Sequence, residues 1–396
     1  MKKIFLFFVA LLFFVNNFAF AGDLAPQDLN LQEKKKITFI YIHGSNDFSG
    51  KKRLEFRKHF DEQVKNMHPY MMKAFNQDEL TRTQFLKNGE YEINAEPVIF
   101  YWGDKSFQEV VNLDDNLSVA SIFSPKLPQI VRGTFAHCLH DAVWVQKYQN
   151  MAQIIDELHV LVKNEIDKGN KVVLLGYSAG SFITYEYFLN KFISLNPEEI
   201  VPEEKLAELN ITKSQLRPTC LDALMEAGVV SLNIGGKYAP NPVKEQLLAN
   251  LSLLNDKTAS ACFADNTIKG VINFASPLAL FYSEISDSKS DLNFLSKLMY
   301  KHIIETDTFW LTVNYAEDPL GFPSSKNISR EELNKLSGFN ISPSGGFVYD
   351  KSDARAFRSF ITAHLAYWTT QKRFTKAVIE AYNKGFANMY GEPSEL

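Results

Sequence analysis

The pentapeptide Gly176-Tyr177-Ser178-Ala179-Gly180 constrains this chain more than any other segment. The apolar run Lys171-Val172-Val173-Leu174-Leu175 precedes it, and a helical pattern over residues 181–195 follows. A serine set between such elements takes a strained turn conformation, and flanking glycines let strand and helix approach closely. The pentapeptide lacks the Lys-Ser/Thr of a phosphate-binding loop, so a nucleotide site is not expected there.

The rest of the chain suits a turn of that kind. Short apolar runs alternate with helical patterns, the signature of a parallel sheet with helices on its faces. Strands are expected at 37–42, 97–102, 171–175, 270–275 and 308–315, each apolar at successive positions and rich in β-branched or aromatic residues. Helices are expected at 49–67, 143–168, 181–195 and 365–386. The class is therefore α/β. Two stretches break the alternation, at about 104–142 and 196–268, the second with five prolines, a Gly235-Gly236 turn and a candidate strand at 229–234. Such inserts sit above the carboxyl ends of strands, so both are read as cap-like insertions.

The N-terminus reads as an address. Lys2-Lys3, an apolar run over residues 4–15 and Ala19-Phe20-Ala21 form the pattern of a secretory signal peptide cleaved before Gly22. The run is shorter than the roughly 20 apolar residues that span a bilayer, which argues against an anchor. Residues 1–21 are thus expected to be removed, leaving 22–396 as a single domain exported to a periplasm or beyond the cell. Seven of the 32 Phe lie in that leader, so part of the 13% aromatic content belongs to the address. Charge excludes a nucleic-acid partner: 42 basic against 46 acidic side chains, with basic runs only at Lys34-Lys35-Lys36 and Lys51-Lys52-Arg53. Export permits a disulfide, but three Cys cannot all pair within one chain. Cys220 and Cys262 bracket an insertion and are expected to pair, leaving Cys138 as a buried thiol.

In its strand–turn–helix setting the pentapeptide resembles the nucleophile elbow of the α/β-hydrolase superfamily, its lipase-like members in particular. The resemblance spans most of residues 36–386 through a few short motifs. Phe39-Ile40-Tyr41-Ile42-His43-Gly44-Ser45-Asn46 is similar to the strand ending in His-Gly that leads into the oxyanion loop. It implies Ser45 and Ala179 as the two amide donors of an oxyanion hole. The segment 310–320 ends a strand in Asp318-Pro319, where the family carries its acid, so Asp318 is assigned. Asp287 and Asp307 are the alternatives. Thr362-Ala363-His364-Leu365-Ala366-Tyr367-Trp368 resembles the segment in which the catalytic His precedes Tyr-Trp, implying His364 as the base. His43 is the rival base, though its place suggests that it shapes the oxyanion loop. Asn273-Phe274-Ala275-Ser276-Pro277-Leu278 echoes a strand ending in Gly-Ser-Pro, with Ala275 where Gly is common.

The order Ser178, Asp318, His364 is the one this fold requires. The resemblance implies acyl-enzyme hydrolysis of a carboxylic ester without a cofactor. Phe107, Phe123, Phe135, Trp144 and Tyr148 in the cap candidate favour a lipid or other acyl ester, with transient contact to a membrane surface. A peptidase or thioesterase on the same residues stays open, as does a binding protein that keeps the fold without turnover. His137 and His140, three apart in a His-x-x-His-Asp cluster with Asp141, would share a helix face, but no further ligands accompany the cluster, so no metal is expected.

Overall fold

The computed structural model describes residues 34–44, 53–102, 148–192, 194–195, 204, 207, 219–220, 230–233, 237–240, 267–281, 294–322, 327–335, 345–353 and 360–391. In chain order the first elements are β1 (Lys35–Ile42), α1 (Arg53–Gln77), β2 (Tyr91–Ile93), β3 (Val98–Phe100), α2 (Tyr148–Asp167), β4 (Lys171–Tyr177) and α3 (Gly180–Lys191). Four short strands follow: β5 (Ser194–Leu195), β6 (Thr219–Cys220), β7 (Val230–Asn233) and β8 (Lys237–Pro240). The chain then runs through β9 (Ile268–Phe274), α4 (Leu278–Phe281), α5 (Phe294–Glu305), β10 (Phe309–Tyr315) and α6 (Arg330–Lys335). It closes with β11 (Phe347–Asp353), α7 (Phe360–Thr369) and α8 (Gln371–Tyr390).

Seven strands form one sheet in the order β11-β10-β9-β4-β1-β2, with β3 also on β1, and every pairing is parallel. This is an α/β protein. Parallel neighbours need a crossover, which covers both faces and leaves the central strands dry. Accordingly every residue of β9 and β10 is buried, as is β4 after its first residue. One face carries α1 and α8, which touch through Phe75 and Tyr382. The other carries α2, α3 and α5: His159 of α2 meets Tyr187 of α3, and Phe188 of α3 meets His302 of α5. Adjacent residues of β10 divide between the layers, Phe309 packing on Tyr382 and Trp310 on Phe188.

The element bounds depart from the sequence reading where packing overrides local signals. The first helix continues past 67 to Gln77, through Pro69, because Phe60, Val64, Met67, Met71 and Phe75 form one buried stripe. The last helix is two helices, α7 and α8, parted at Thr370. There the Thr370 hydroxyl donates to the Ala366 carbonyl at 2.7 Å and lies 2.8 Å from Tyr315 Oη. Residues 194–195 leave the expected helix and pair with β6, while β7 pairs with β8 in an antiparallel ladder. The edge strand β11 was not expected: its second half is polar, and the apolar Phe347 and Val348 at its start are too few to signal a strand. On its outer side the Asn327 side chain accepts from Asp350 N–H at 2.7 Å and donates to Asp350 C=O at 2.9 Å.

Residues 103–147 and most of 196–266 lie outside the described residues, so the first expected cap, Cys138 and Cys262 do too, and the second cap is described chiefly in β6, β7 and β8. Among the described residues no helix is long and apolar enough to cross a membrane.

Candidate active site

Ser178 follows β4 directly and takes a left-handed backbone conformation, φ 51°. That geometry is costly for a residue with a Cβ and persists only where the surroundings enforce it. Here the enforcement is close packing. A Cβ at Gly176 would stand 2.5 Å from Asn273 Oδ1, and one at Gly180 would stand 2.5 Å from the Ile42 carbonyl oxygen. Larger residues at either place would push α3 off β1 and β9. Ser178 is held at the carboxyl edge of the sheet, 4% exposed.

His364 lies in α7 and reaches Ser178 from across the sheet. Its Nε2 is 3.0 Å from Ser178 Oγ, and its Nδ1 is 2.9 Å and 3.1 Å from the two Asp318 oxygens. A carboxylate can only accept, so Nδ1 carries the proton and Nε2 is left to accept from the serine hydroxyl. Tyr177, the residue before the serine, fixes the helix: its hydroxyl donates to the His364 carbonyl at 3.0 Å.

Asp318 sits just past β10, in a turn closed by its N–H donating to Tyr315 C=O. Its side chain is fully buried beside His364. Besides His364, its carboxylate accepts from Leu320 N–H at 3.0 Å and Tyr367 Oη at 2.9 Å. Asn314, near the end of β10, braces this edge by accepting from Ser276 N–H and donating to Phe322 C=O, both at 2.9 Å. The sequence reading gave no role to Tyr367, Asn314 or Tyr177. Only the spacing of Tyr367, one helical turn after His364, could have singled it out.

The alternatives are placed elsewhere. Asp307 precedes β10, at the opposite end of the strand from Asp318, and pairs there with Lys269 and with Lys87. Asp287 is outside the described residues. His43 is buried, donates through Nδ1 to Gly44 C=O at 2.5 Å and accepts at Nε2 from Trp102 N–H at 3.0 Å. With both nitrogens engaged and its ring stacked on Trp102, it holds the backbone at Gly44 and Trp102.

Of the two residues expected to be amide donors, Ala179 is placed and Ser45 lies outside the described residues. Ala179 opens α3, where backbone N–H groups point out of the helix and favour negative charge. Gly44 lies against the serine, since a Cβ there would stand 2.6 Å from Ser178 Cβ. Ala275 has φ 52° and is fully buried, a conformation that suits the Gly of the related motif.

Among the described residues no group of three or more His, Cys, Asp or Glu could hold a metal ion, and His137, His140 and Asp141 are outside them. Compared with protein-family models, curated proteins and solved structures, the chain matches none, so a functional reading rests on its α/β fold and on the geometry of Ser178, His364 and Asp318.

Proposed function

We propose that this chain is a serine hydrolase of the α/β-hydrolase type that cleaves carboxylic esters, probing acyl groups of lipid-like character. The observation that carries the reading is the continuous hydrogen-bonded path from Ser178 Oγ through His364 to the Asp318 carboxylate. In this reading Ser178 Oγ attacks the ester carbonyl while its proton passes to His364 Nε2. The oxyanion forms beside the Ala179 N–H, with Ser45 N–H as the second donor. His364 returns the proton to the departing alcohol, leaving acyl-Ser178. Water, deprotonated by His364, then releases the acid and restores the serine. No cofactor enters either step.

Two exposed apolar side chains support an apolar substrate. Leu365, next to His364, is 54% exposed, and Phe322, four residues after Asp318, is 37% exposed. The pattern of residues 1–21 supports export, and a lipid ester would bring the protein into transient contact with a membrane surface.

A fluorophosphonate probe tests the chemistry. Wild type is expected to label and Ser178→Ala to stay unlabelled; equal labelling of both removes the assignment. Hydrolysis of an acyl-chain series then tests the substrate class, with rates rising with chain length. Activity on amides or thioesters alone would give the site to a peptidase or thioesterase, and labelling without turnover of any acyl substrate would leave a binding protein.

A further inference from the structure

Tyr367 follows His364 by one helical turn, so the two side chains leave one face of α7 and meet the Asp318 carboxylate together. Its hydroxyl donates to Asp318 Oδ2 at 2.9 Å and accepts from Tyr315 N–H at 2.7 Å. The ring is fully buried and stacks on Tyr315, 4.2 Å between centroids and 12° between planes. Burial, and after it the Asp318 charge, holds this phenol well above the ordinary phenol range, so it stays a donor.

The carboxylate needs that donor. Asp318 Oδ1 is held by His364 and by Leu320 N–H, whereas Oδ2 has Tyr367 and a longer 3.1 Å contact to His364. Without the phenol, a buried carboxylate is left with one oxygen poorly satisfied and can turn about its Cβ–Cγ bond. His364 would lose the fixed acceptor that sets its ring toward Ser178.

We infer that Tyr367 is a positioning residue: its hydroxyl, itself held by Tyr315 N–H, locks the Asp318 carboxylate and so aims His364 at Ser178. The inference rests on the hydrolase reading above. Around the pair stand His364 on α7, Tyr177 at the end of β4 and Tyr315 on β10, with Arg373 and Asp353 paired beyond Tyr315.

The test is Tyr367→Phe, counted by fluorophosphonate-labelled Ser178 so that misfolded protein does not enter the rate. The expected kcat per labelled site falls about 10- to 100-fold with KM within about twofold, the scale of a displaced catalytic group. A purely structural tyrosine would lower thermal stability and leave kcat per labelled site unmoved. Fluorotyrosine at position 367 keeps the ring and hydroxyl, serves where Tyr367→Phe does not fold, and as a stronger donor shifts kcat per labelled site. Both variants unmoved in an active enzyme would overturn the inference alone. Wild-type protein that neither labels nor cleaves esters would remove the hydrolase reading, and this inference with it.

Discussion

Asp307 and Asp318 bracket the same strand, β10, and show how the two ends of the sheet treat a carboxylate. At the amino end Asp307 is a third exposed and takes cations: Lys269, whose side chain is 5% exposed, and Lys87. At the carboxyl end Asp318 is fully buried and meets His364, a backbone N–H and a phenol, but, among the described residues, no lysine or arginine. Each also has a buried tyrosine nearby, Tyr382 below and Tyr367 above. A permanent cation cancels a carboxylate's charge, whereas neutral donors stabilise it and leave it to act on a neighbour. One end therefore spends its charge on holding the fold, while the other keeps a charge available to a histidine.

Asp318→Asn strikes hardest at this contrast. The amide cannot serve His364 as a charged acceptor, so kcat per labelled Ser178 should fall roughly 10⁴-fold, read by steady-state hydrolysis after active-site counting. A loss below about tenfold would mean that the upper carboxylate is structural too. Asp307→Asn should do the reverse: a loss of about 1–3 kcal/mol in urea unfolding, discounted for its exposure, with kcat per labelled site unchanged. Lost turnover in that variant would erase the distinction between the ends.

The two tyrosines sharpen it through pH. Burial, the largest cause for each, holds both phenols above their ordinary value in the folded protein. The unfolded phenols ionise first, so their contribution to stability is whole below about pH 10 and is lost as pH rises beyond it. Tyr382→Phe should flatten that alkaline fall by up to about 1.4 kcal/mol per pH unit, measured by denaturant midpoints from about pH 9 to 11. An unaltered slope would show that Tyr382 ionises alike in both states. The smallest effect is expected at Ala275, whose φ of 52° strains the upper edge. Ala275→Gly should relieve that strain against a larger loss of chain entropy, a net gain of about 0.5–1 kcal/mol. A net loss would mean that the alanine methyl packs well enough to outweigh its backbone.

The legible parts of this molecule are those in which neighbours in sequence are neighbours in space. Val172 to Leu175 reads as a strand because a parallel strand buried on both faces is apolar at every position. Gly176 and Gly180 read as a tight turn because only glycine tolerates the approach of Asn273 and Ile42. The order of Ser178, Asp318 and His364 can be read along the chain, but the distances among them belong to the folded sheet. β11 escaped because an edge strand half polar in sequence carries no period. The first helix, expected to stop at 67, runs on through Pro69 to Gln77 because Met71 and Phe75 carry its buried stripe further. Tyr367 escaped for a different reason. Its partners, Asp318 and Tyr315, are 49 and 52 residues away, and its spacing of one helical turn from His364 is the only local sign of a phenol placed to serve a carboxylate.

Asn327 has a consequence for how copies of this chain coexist. By answering both the N–H and the C=O of Asp350, its side chain occupies a rung that the outer side of β11 would otherwise offer to another strand. At the far side of the sheet, β2 and β3 share the flank of β1 as two ladders of three residues each, broken between Ile93 and Val98. A blocked rung on one margin and a broken ladder on the other leave little continuous backbone for a second chain to extend. For a protein with seven parallel strands, that is protection against edge-to-edge aggregation, supplied by one amide and one interruption.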